Sequence, residues 1–289
     1  MTSSAPIGLF DSGVGGLSVW REVVRQLPAE STLYFADQAH VPYGPRPVAE
    51  VRDYAKTITR FLLAQGAKLI VVACNTASGA ALHALRATFP TVPFVGMEPA
   101  IKPAVERTHS GVVGVIATPA TFQGRLFRDL VRRFATQARL ETQICPGLVT
   151  AVEEGALDTP ETRALLHRYL DPMTARDIDH LVLGCTHYPF LTKTIAEVVG
   201  PDVTLVDPAP AVARQVGRLL QQGDLQAGEN QAAHHRFYTS GDPRNLARMA
   251  KRLVHYTGVV QGVHWRTDGT GIEADPQALF YAEETSAPK

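Results

Sequence analysis

The sequence lacks an excess of charge of either sign, because 28 lysines and arginines balance 28 aspartates and glutamates over 289 residues. A chain without net positive charge has no field that would attract the phosphates of a nucleic acid. We therefore expect no dedicated binding of DNA or RNA.

Long apolar runs are also missing. No segment approaches the roughly 20 apolar residues that a membrane-spanning helix needs. The start, MTSSAPIGLFDS, has no basic region followed by an apolar stretch, so we expect neither a signal peptide nor a membrane anchor. The three cysteines, an odd number, fit free thiols in a reducing compartment. These features predict a cytoplasmic protein.

Motifs for metals and nucleotides are weak. The sequence contains no C-x-x-C pair and no H-x-x-x-H pair, so Cys74, Cys185 and His187 are not favoured as zinc ligands. The glycine-rich DSGVGGLS has neither the dinucleotide-binding order nor the P-loop ending. We interpret its glycines as a tight turn that exposes backbone amides to an anion.

What the chain does have is a pair of apolar runs that each end at a cysteine. VVACNTAS (71–78) and LVLGCTHYP (181–189) each predict a buried strand with a thiol, Cys74 or Cys185, at its carboxyl end. A single buried cysteine often only packs. Two at equivalent places favour a shared chemical role.

A second pattern also occurs twice. IGLFDSGVGG (7–16) and GVIATPAT (114–121) are apolar runs that end in polar residues, Asp11 and Ser12 in one and Thr118 and Thr121 in the other. Each precedes its cysteine by a similar stretch, so the halves look like copies of one α/β unit. The alternative is that any two halves with parallel sheets show this much likeness.

Alternation of strands and helices predicts an α/β fold of two pseudo-symmetric domains, each with a central parallel sheet flanked by helices. We place the first, discontinuous domain at 1–98 and 208–265 and the second at 99–207. Residues 266–289 have weak periodicity and are expected to form a loosely held C-terminal tail.

Each of the two thiols has a nearby acid or base. The helix after each strand can stabilise a thiolate and lower the pKa of the cysteine. His187 lies two residues beyond Cys185, and Asp11 ends the strand expected beside that of Cys74. Cys145 precedes a proline and has no such partner, so we interpret it as a packing residue.

HVPYGPRP (40–47) is a loop stiffened by prolines, and Gly44 would allow backbone N–H groups to approach a ligand carboxylate. An ordinary proline-rich connector remains the alternative.

The motifs FDSGVGGLSV, VPYGPRP, ACNTAS, ATPAT, VEEG and GCTHYP, in this order, resemble those of bacterial glutamate racemases, from about residue 7 to residue 253. The resemblance implies cofactor-independent interconversion of L- and D-glutamate, with the active site in a cleft between two facing domains. It also implies that the product D-glutamate is used for peptidoglycan. We also expect a homodimer.

The resemblance also implies roles for individual residues. Cys74 and Cys185 would be the two bases, acting on the D- and L-isomer respectively, with Asp11 assisting Cys74 and His187 assisting Cys185. The residues that bind the amino and carboxylate groups of the substrate would be Ser12, Asn75, Thr76, Thr118, Thr121 and Thr186. Tyr43 and Gly44 would lie near the side-chain carboxylate. Glu153 would be a further substrate-binding acid, although sequence alone equally allows a solvated helix residue.

Elementary chemistry agrees with this pattern, because a racemase must take a proton from one face of a carbon and return one to the other. Amide-rich loops could stabilise the developing negative charge. The run CPGLVT (145–150) departs from the bulkier run of many relatives and puts the cleft lining in doubt.

Several alternatives stay open at this point. Within enzymes they are an aspartate or hydantoin racemase of the same fold, or a related decarboxylase, which would typically keep only one of the two cysteines. From another class, the chain could be a catalytically inactive binding or regulatory homologue.

Overall fold

The computed structural model describes residues 4–134, 136–228, 231–269 and 271–281. Its first half alternates strands with helices, because apolar runs of β-branched residues are followed by segments with helical periodicity. In chain order the elements are β1 (Ile7–Asp11), α1 (Leu17–Gln26), β2 (Thr32–Ala36), α2 (Val48–Ala64), β3 (Leu69–Val72), α3 (Asn75–Thr88), β4 (Phe94–Gly96) and α4 (Ile101–Val105).

The same alternation continues to the end of the described residues. The elements are β5 (Val112–Ala117), α5 (Pro119–Gln123), α6 (Arg125–Phe134), β6 (Arg139–Ile144), α7 (Leu148–Glu153), α8 (Pro160–Thr174), β7 (His180–Gly184), α9 (Thr192–Val199), β8 (Thr204–Val206), α10 (Ala209–Gln222), β9 (His235–Thr239), α11 (Pro243–Val254), β10 (Val259–Trp265) and β11 (Ile272–Tyr281). A turn of 3-10 helix, Tyr188–Leu191, precedes α9.

The strands form two sheets. One has seven strands in the order β11-β10-β9-β2-β1-β3-β4, and the other has four in the order β6-β5-β7-β8. All neighbouring pairs are parallel except β10 and β11. This confirms the prediction of an α/β fold with parallel sheets flanked by helices.

The largest apolar cluster joins the two sheets. It contains Leu9 and Leu17 from the first half of the chain together with Leu148 and Leu183 from the second, all fully or almost fully buried. Burial of such side chains contributes about 25 cal/mol per Å² of apolar surface. The shared core therefore holds the carboxyl ends of the two sets of strands in fixed relation to each other.

Two helices begin or break at residues near the strand ends. The helix after Cys74 begins directly at Asn75, because Cys74 occupies the N-cap position and its Sγ accepts a hydrogen bond from the Ala77 amide at 3.5 Å. The segment after β5 forms two helices, α5 and α6, which are separated by Gly124 in an extended conformation.

The expectation of a loose tail over residues 266–289 is wrong for Ile272–Tyr281. This segment is β11, which pairs antiparallel with β10, with a register shift between Gln261 and Val263. Its sequence shows little alternation and contains Pro276. Pairing with a neighbouring strand, which a local pattern does not reveal, supplies its structure. Residues 282–289 of the expected tail lie outside the described residues.

Candidate active site

The carboxyl ends of strands from both sheets meet around one cavity, as ligand sites in open α/β sheets do. Asp11 ends β1, which pairs with β3, so the expected proximity of Asp11 to the Cys74 strand is confirmed. Cys185 directly follows β7, and Thr118 directly follows β5. The cavity is lined by Ser12, Pro42, Tyr43, Gly44, Cys74, Asn75, Thr76, Thr118, Thr121, Val149, Cys185, Thr186 and His187.

The two thiols therefore lie on the wall of the same cavity. Cys74 and Cys185 are each 6% exposed, and they are close enough for charge on Cys185 to raise the pKa of Cys74. All three cysteines are free. An arrangement with two thiols facing one small cavity allows protons to be exchanged with a single bound molecule from two positions.

The surroundings of Cys74 favour the protonated thiol. Burial raises its pKa well above the usual value, and the Asp11 carboxylate raises it further, while N–H groups of Ala77 and Ser12 lower it only in part. The Ala77 amide at the start of the helix acts to lower the pKa, as expected, but desolvation outweighs it and the net shift is upward. The resting Cys74 is suited to donating a proton.

Cys185 has a different environment, in which a histidine and a glutamate form a line behind the thiol. Its Sγ lies 3.7 Å from Nδ1 of His187, and Nε2 of His187 lies 2.7 Å from Oε1 of Glu153. Burial acts to lower the pKa of His187, but its hydrogen bonds with Cys185 and Glu153 and their charges raise it well above the ordinary value. Such an arrangement can pass a proton between the thiol and the imidazole.

Glu153 does not line the cavity, which differs from its expected role as a substrate-binding residue. Both of its carboxylate oxygens are occupied by protein groups: Oε1 accepts from the Val14 amide at 2.7 Å as well as from His187, and Oε2 accepts from Gln38 at 3.1 Å. Burial acts to raise its pKa, but these donors lower it overall. Glu153 is placed to orient His187 and to balance its charge.

Asp11 also lies behind the cavity wall and is fully buried. Its Oδ1 accepts from the Gly13 amide at 2.9 Å, and its Oδ2 accepts from the Thr186 hydroxyl at 3.0 Å. Burial raises its pKa, although the charge of His187 and the Gly13 amide act in the opposite direction. The bond to Thr186 ties the end of β1 to the segment that carries the second thiol.

Polar groups on the remaining walls point to a polar ligand. Oγ1 of Thr118 lies 3.0 Å from the Oγ1 atoms of both Thr76 and Thr121. The side-chain oxygen and nitrogen of Asn75 are buried, and neither has a hydrogen-bond partner. Because buried amides are nearly always paired, Asn75 is placed to bind a ligand in this cavity.

The loop at 40–47 forms a further wall. The Tyr43 ring is buried, and its hydroxyl donates to Oδ2 of Asp37 at 2.6 Å. Gly44 faces the Thr118 side chain so closely that an added Cβ would lie 3.1 Å from Thr118 Cβ. The loop and the β5 end are thus in direct contact over the cavity.

Sequence reasoning missed several residues of this site. Pro42 and Val149 line the cavity, and Val149 comes from the CPGLVT run that departs from many relatives. Asp37 and Gln38 lie behind the cavity wall, where Asp37 accepts a hydrogen bond from Tyr43 and Gln38 donates one to Glu153. Their position directly after β2 was the available signal, because β2 neighbours β1 in the sheet.

Among the described residues, no group of three or more histidine, cysteine, aspartate and glutamate side chains is arranged to hold a metal ion. Within the same part of the chain, no helix combines the length and the apolar character needed to cross a membrane.

Comparison with known proteins identifies a consistent set of relatives. The model of the Asp/Glu/Hydantoin racemase family matches residues 7–216. The chain is 51% identical to the glutamate racemase of Roseiflexus sp. (strain RS-1) over 252 residues, which is 87% of this chain and 93% of that protein.

Solved structures agree with this. The chain resembles glutamate racemase isoform RacE1 of Bacillus anthracis with a TM-score of 0.80 and 38% identity, covering 87% of this chain and 94% of that one. It also resembles Escherichia coli glutamate racemase, solved in complex with L-glutamate and the activator UDP-MurNAc-ala, with a TM-score of 0.77 and 33% identity, covering 86% and 95%.

Proposed function

Because the chain belongs to the Asp/Glu/Hydantoin racemase family, we propose that it is a glutamate racemase that uses two thiols and no cofactor. The observation that carries this proposal is the presence of Cys74 and Cys185 on the wall of one cavity. The glutamate-racemase names of its relatives support glutamate as the substrate, rather than aspartate or a hydantoin.

In the direction from L-glutamate, Cys185 as a thiolate takes the α-proton. The α-carbon–hydrogen bond breaks, its electron pair remains on the substrate as a carbanion, and a proton is gained by Sγ. The protonated Cys74 then gives its proton to the opposite face, which leaves a Cys74 thiolate and D-glutamate. The reverse direction uses the same groups with their roles exchanged, because each step is reversible.

The groups behind each thiol favour the protonation states that the reaction needs. The raised pKa of His187, which lies 3.7 Å from Sγ of Cys185, keeps a positive charge beside that thiolate. On the other side, the charge of Asp11 raises the pKa of Cys74, which favours the protonated thiol that donates to the carbanion. After product release Cys185 loses the proton it gained to solvent, and Cys74 regains one from solvent. We assign Glu153 to orienting His187 rather than to binding substrate.

The remaining cavity residues would hold the substrate while the carbanion forms. Asn75 offers a buried amide without a protein partner, and Ser12, Thr76, Thr118, Thr121 and Thr186 supply hydroxyls on the cavity wall. We assign these groups to the amino and α-carboxylate groups, and Tyr43 and Gly44 to the side-chain carboxylate. Fixed dipoles of this kind stabilise developing charge because they need no reorganisation.

A direct test is to incubate the reduced, folded protein with L-glutamate in D2O and to follow circular dichroism together with α-deuteration. We expect the optical signal to decay to zero while deuterium enters the α-position, and we expect L-aspartate to react far more slowly. Absence of exchange with either glutamate isomer would remove the proposal. If aspartate reacts faster than glutamate, the protein is an aspartate racemase and the proposed substrate is wrong.

We further propose that the product D-glutamate is used for peptidoglycan, that the enzyme works as a homodimer and that it resides in the cytoplasm. Free thiols support a reducing compartment. Rescue of a bacterial strain that requires D-glutamate for growth tests the cellular role, and light scattering coupled to size-exclusion chromatography tests the dimer. Failure of rescue by an active enzyme, or a monomeric mass, would contradict the respective proposal.

A further inference from the structure

Three parallel strands on one side of the seven-stranded sheet bring residues far apart in sequence to the same edge. Strands β2, β9 and β10 are neighbours in the sheet, with Ala36 opposite Thr239 and Thr239 opposite Gly262. The residues at their carboxyl ends include Asp37, Ser240 and Trp265. Because the strands run in the same direction, these side chains can meet beside the cavity.

They meet at Asp37, which is fully buried. Oδ1 of Asp37 accepts hydrogen bonds from the Ser240 hydroxyl at 2.7 Å and from Nε1 of Trp265 at 2.9 Å. A buried carboxylate needs several donors to offset its desolvation, and bonds to a charged acceptor are the stronger kind. The indole N–H of Trp265 therefore contributes to fixing the position of Asp37.

The other oxygen of Asp37 faces the cavity wall. Oδ2 accepts from the Tyr43 hydroxyl at 2.6 Å and lies 2.9 Å from Nδ1 of His40. Since Tyr43 lines the cavity, a short line of hydrogen bonds runs from Trp265 through Asp37 to a residue in contact with the ligand space. The Asp37 carboxylate thus connects Trp265, the last residue of β10, to Tyr43 in the cavity wall.

Ring packing connects the same groups a second time. His40 stacks on Tyr54 with ring centres 4.0 Å apart and planes 17° apart. The Trp265 ring meets His40 edge-on at 5.0 Å and Tyr54 at 5.4 Å. Aromatic rings in stacked and edge-on geometries attract each other beyond the effect of their burial. Trp265 therefore supports the start of the 40–47 loop by packing as well as by hydrogen bonding.

We propose that Trp265 is a positioning residue for substrate binding, which holds Tyr43 and the 40–47 loop in place through Asp37. This inference rests on the proposed glutamate racemase function and assigns Trp265 to the end of the cavity that receives the substrate side-chain carboxylate. Trp265 lies beyond residues 7–216, which the family model matches. Its hydrogen bond and ring contacts are with Asp37, His40 and Tyr54 rather than with Asp11 or His187, so it acts on binding and leaves proton transfer unchanged.

The test compares two variants that each remove one indole N–H. Trp265→Phe removes the donor to Asp37 and keeps an aromatic ring, whereas Trp20→Phe removes a donor to Thr32 at 2.8 Å inside the apolar core. We expect Trp265→Phe to raise KM for glutamate by about fivefold or more while kcat stays within about twofold, because a bond to a charged acceptor is lost. Trp20→Phe should leave KM unchanged at temperatures where it is folded.

A double-variant cycle tests the route through Asp37. Tyr43→Phe removes the Tyr43–Asp37 bond, so adding Trp265→Phe to it should raise KM by less than about twofold further, since residues in one network are not additive. Hydrogen–deuterium exchange provides a second readout that does not depend on turnover: Trp265→Phe should increase exchange in residues 40–47 and leave residues 112–117 unchanged.

The outcomes separate this inference from the proposed function. If the wild type racemises glutamate but Trp265→Phe leaves KM and exchange of the 40–47 loop unchanged, the positioning role is wrong. An equal fall of kcat in both reaction directions with constant KM, or full additivity with Tyr43→Phe, would also overturn it. If the wild type does not racemise glutamate, the proposed function itself fails.

Discussion

Nε2 of His187 lies 2.7 Å from Oε1 of Glu153, a residue 34 positions earlier in the chain. The carboxylate also accepts from the Val14 amide and from Gln38, so it is held from the other half of the chain. This fixes the plane of the imidazole whose other nitrogen faces Cys185. Cys185 therefore has beside it a histidine with a fixed ring orientation and a raised pKa.

Replacing Glu153 with glutamine should chiefly impair the reaction from L-glutamate. The amide keeps a hydrogen-bond acceptor but loses the charge that raises the pKa of His187, so that pKa falls. We expect kcat from L-glutamate to drop by about 100-fold or less, the low end of what a positioned acid–base group contributes, because Glu153 acts through His187. The high-pH limb of the rate profile should move to lower pH. Glu154→Gln, at an exposed neighbour, should retain the wild-type profile.

The same pair makes stability depend on pH. The pKa of His187 is raised, so its contribution is full below its ordinary value of 6.5 and is lost as pH rises through the raised pKa. The pKa of Glu153 is lowered, so its contribution is present above the ordinary 4.5 and is lost as pH falls through the lowered pKa.

Glu153→Gln should therefore lower the free energy of unfolding most, by about 1–3 kcal/mol, between pH 4.5 and pH 6.5, the ordinary pKa values of the two groups. Urea unfolding at several pH values measures this difference. A stability difference that is the same at every pH would show that the charge of the pair contributes nothing.

Gly15 has a packing requirement that a substitution can expose. A Cβ at this position would overlap the His187 imidazole and the Thr186 hydroxyl, so Gly15→Ala should push the ring away from Cys185. A displacement of about 1 Å costs on the order of 100-fold in rate. We expect a loss of that size from L-glutamate, measured by circular dichroism. Gly228→Ala, where an added Cβ meets nothing within 4 Å, is the control and should be fully active.

Asn75 should show opposite effects on binding and on stability. Both polar atoms of its side chain are buried without partners, and an unpaired buried polar group costs about 1–3 kcal/mol. Asn75→Ala should therefore unfold at the same or a higher temperature while KM for glutamate rises about tenfold. Asn245→Ala, which removes a bond to Arg248 on an exposed helix face, should change neither. A strongly destabilised but normally binding Asn75→Ala protein would contradict this assignment.

Local patterns were sufficient for the parts of the site that lie at strand ends. Cys74, Cys185 and Thr118 follow apolar runs that had to be buried strands, and parallel strands place their carboxyl ends at one edge. Strand order therefore predicted that Thr118 and Cys185 share one edge, whereas their meeting with Cys74 across a cleft was expected only from the resemblance to glutamate racemases. The sheets that bring them together have the expected parallel order around β1 and β5.

The residues behind the cavity were harder to predict because their partners are distant in sequence. Glu153 reads as an ordinary helix residue until its contact with the Val14 amide, 139 positions away, is known. Likewise Trp265 sits in a stretch without clear alternation, and only its bond to Asp37, 228 positions away, reveals its place. The raised pKa of Cys74 depends on how fully it is desolvated, which a strand-end motif does not specify.

Single-thiol variants in D2O test most directly whether Cys74 and Cys185 act on opposite faces of one carbon. With L-glutamate, Cys74→Ser should still exchange the α-proton through Cys185 and return deuterated L-glutamate faster than it forms the D-isomer. Cys185→Ser should do the same with D-glutamate. If either variant racemises as fast as the wild type, or if both lose exchange with the same isomer and keep it with the other, the two thiols do not divide the reaction in this way.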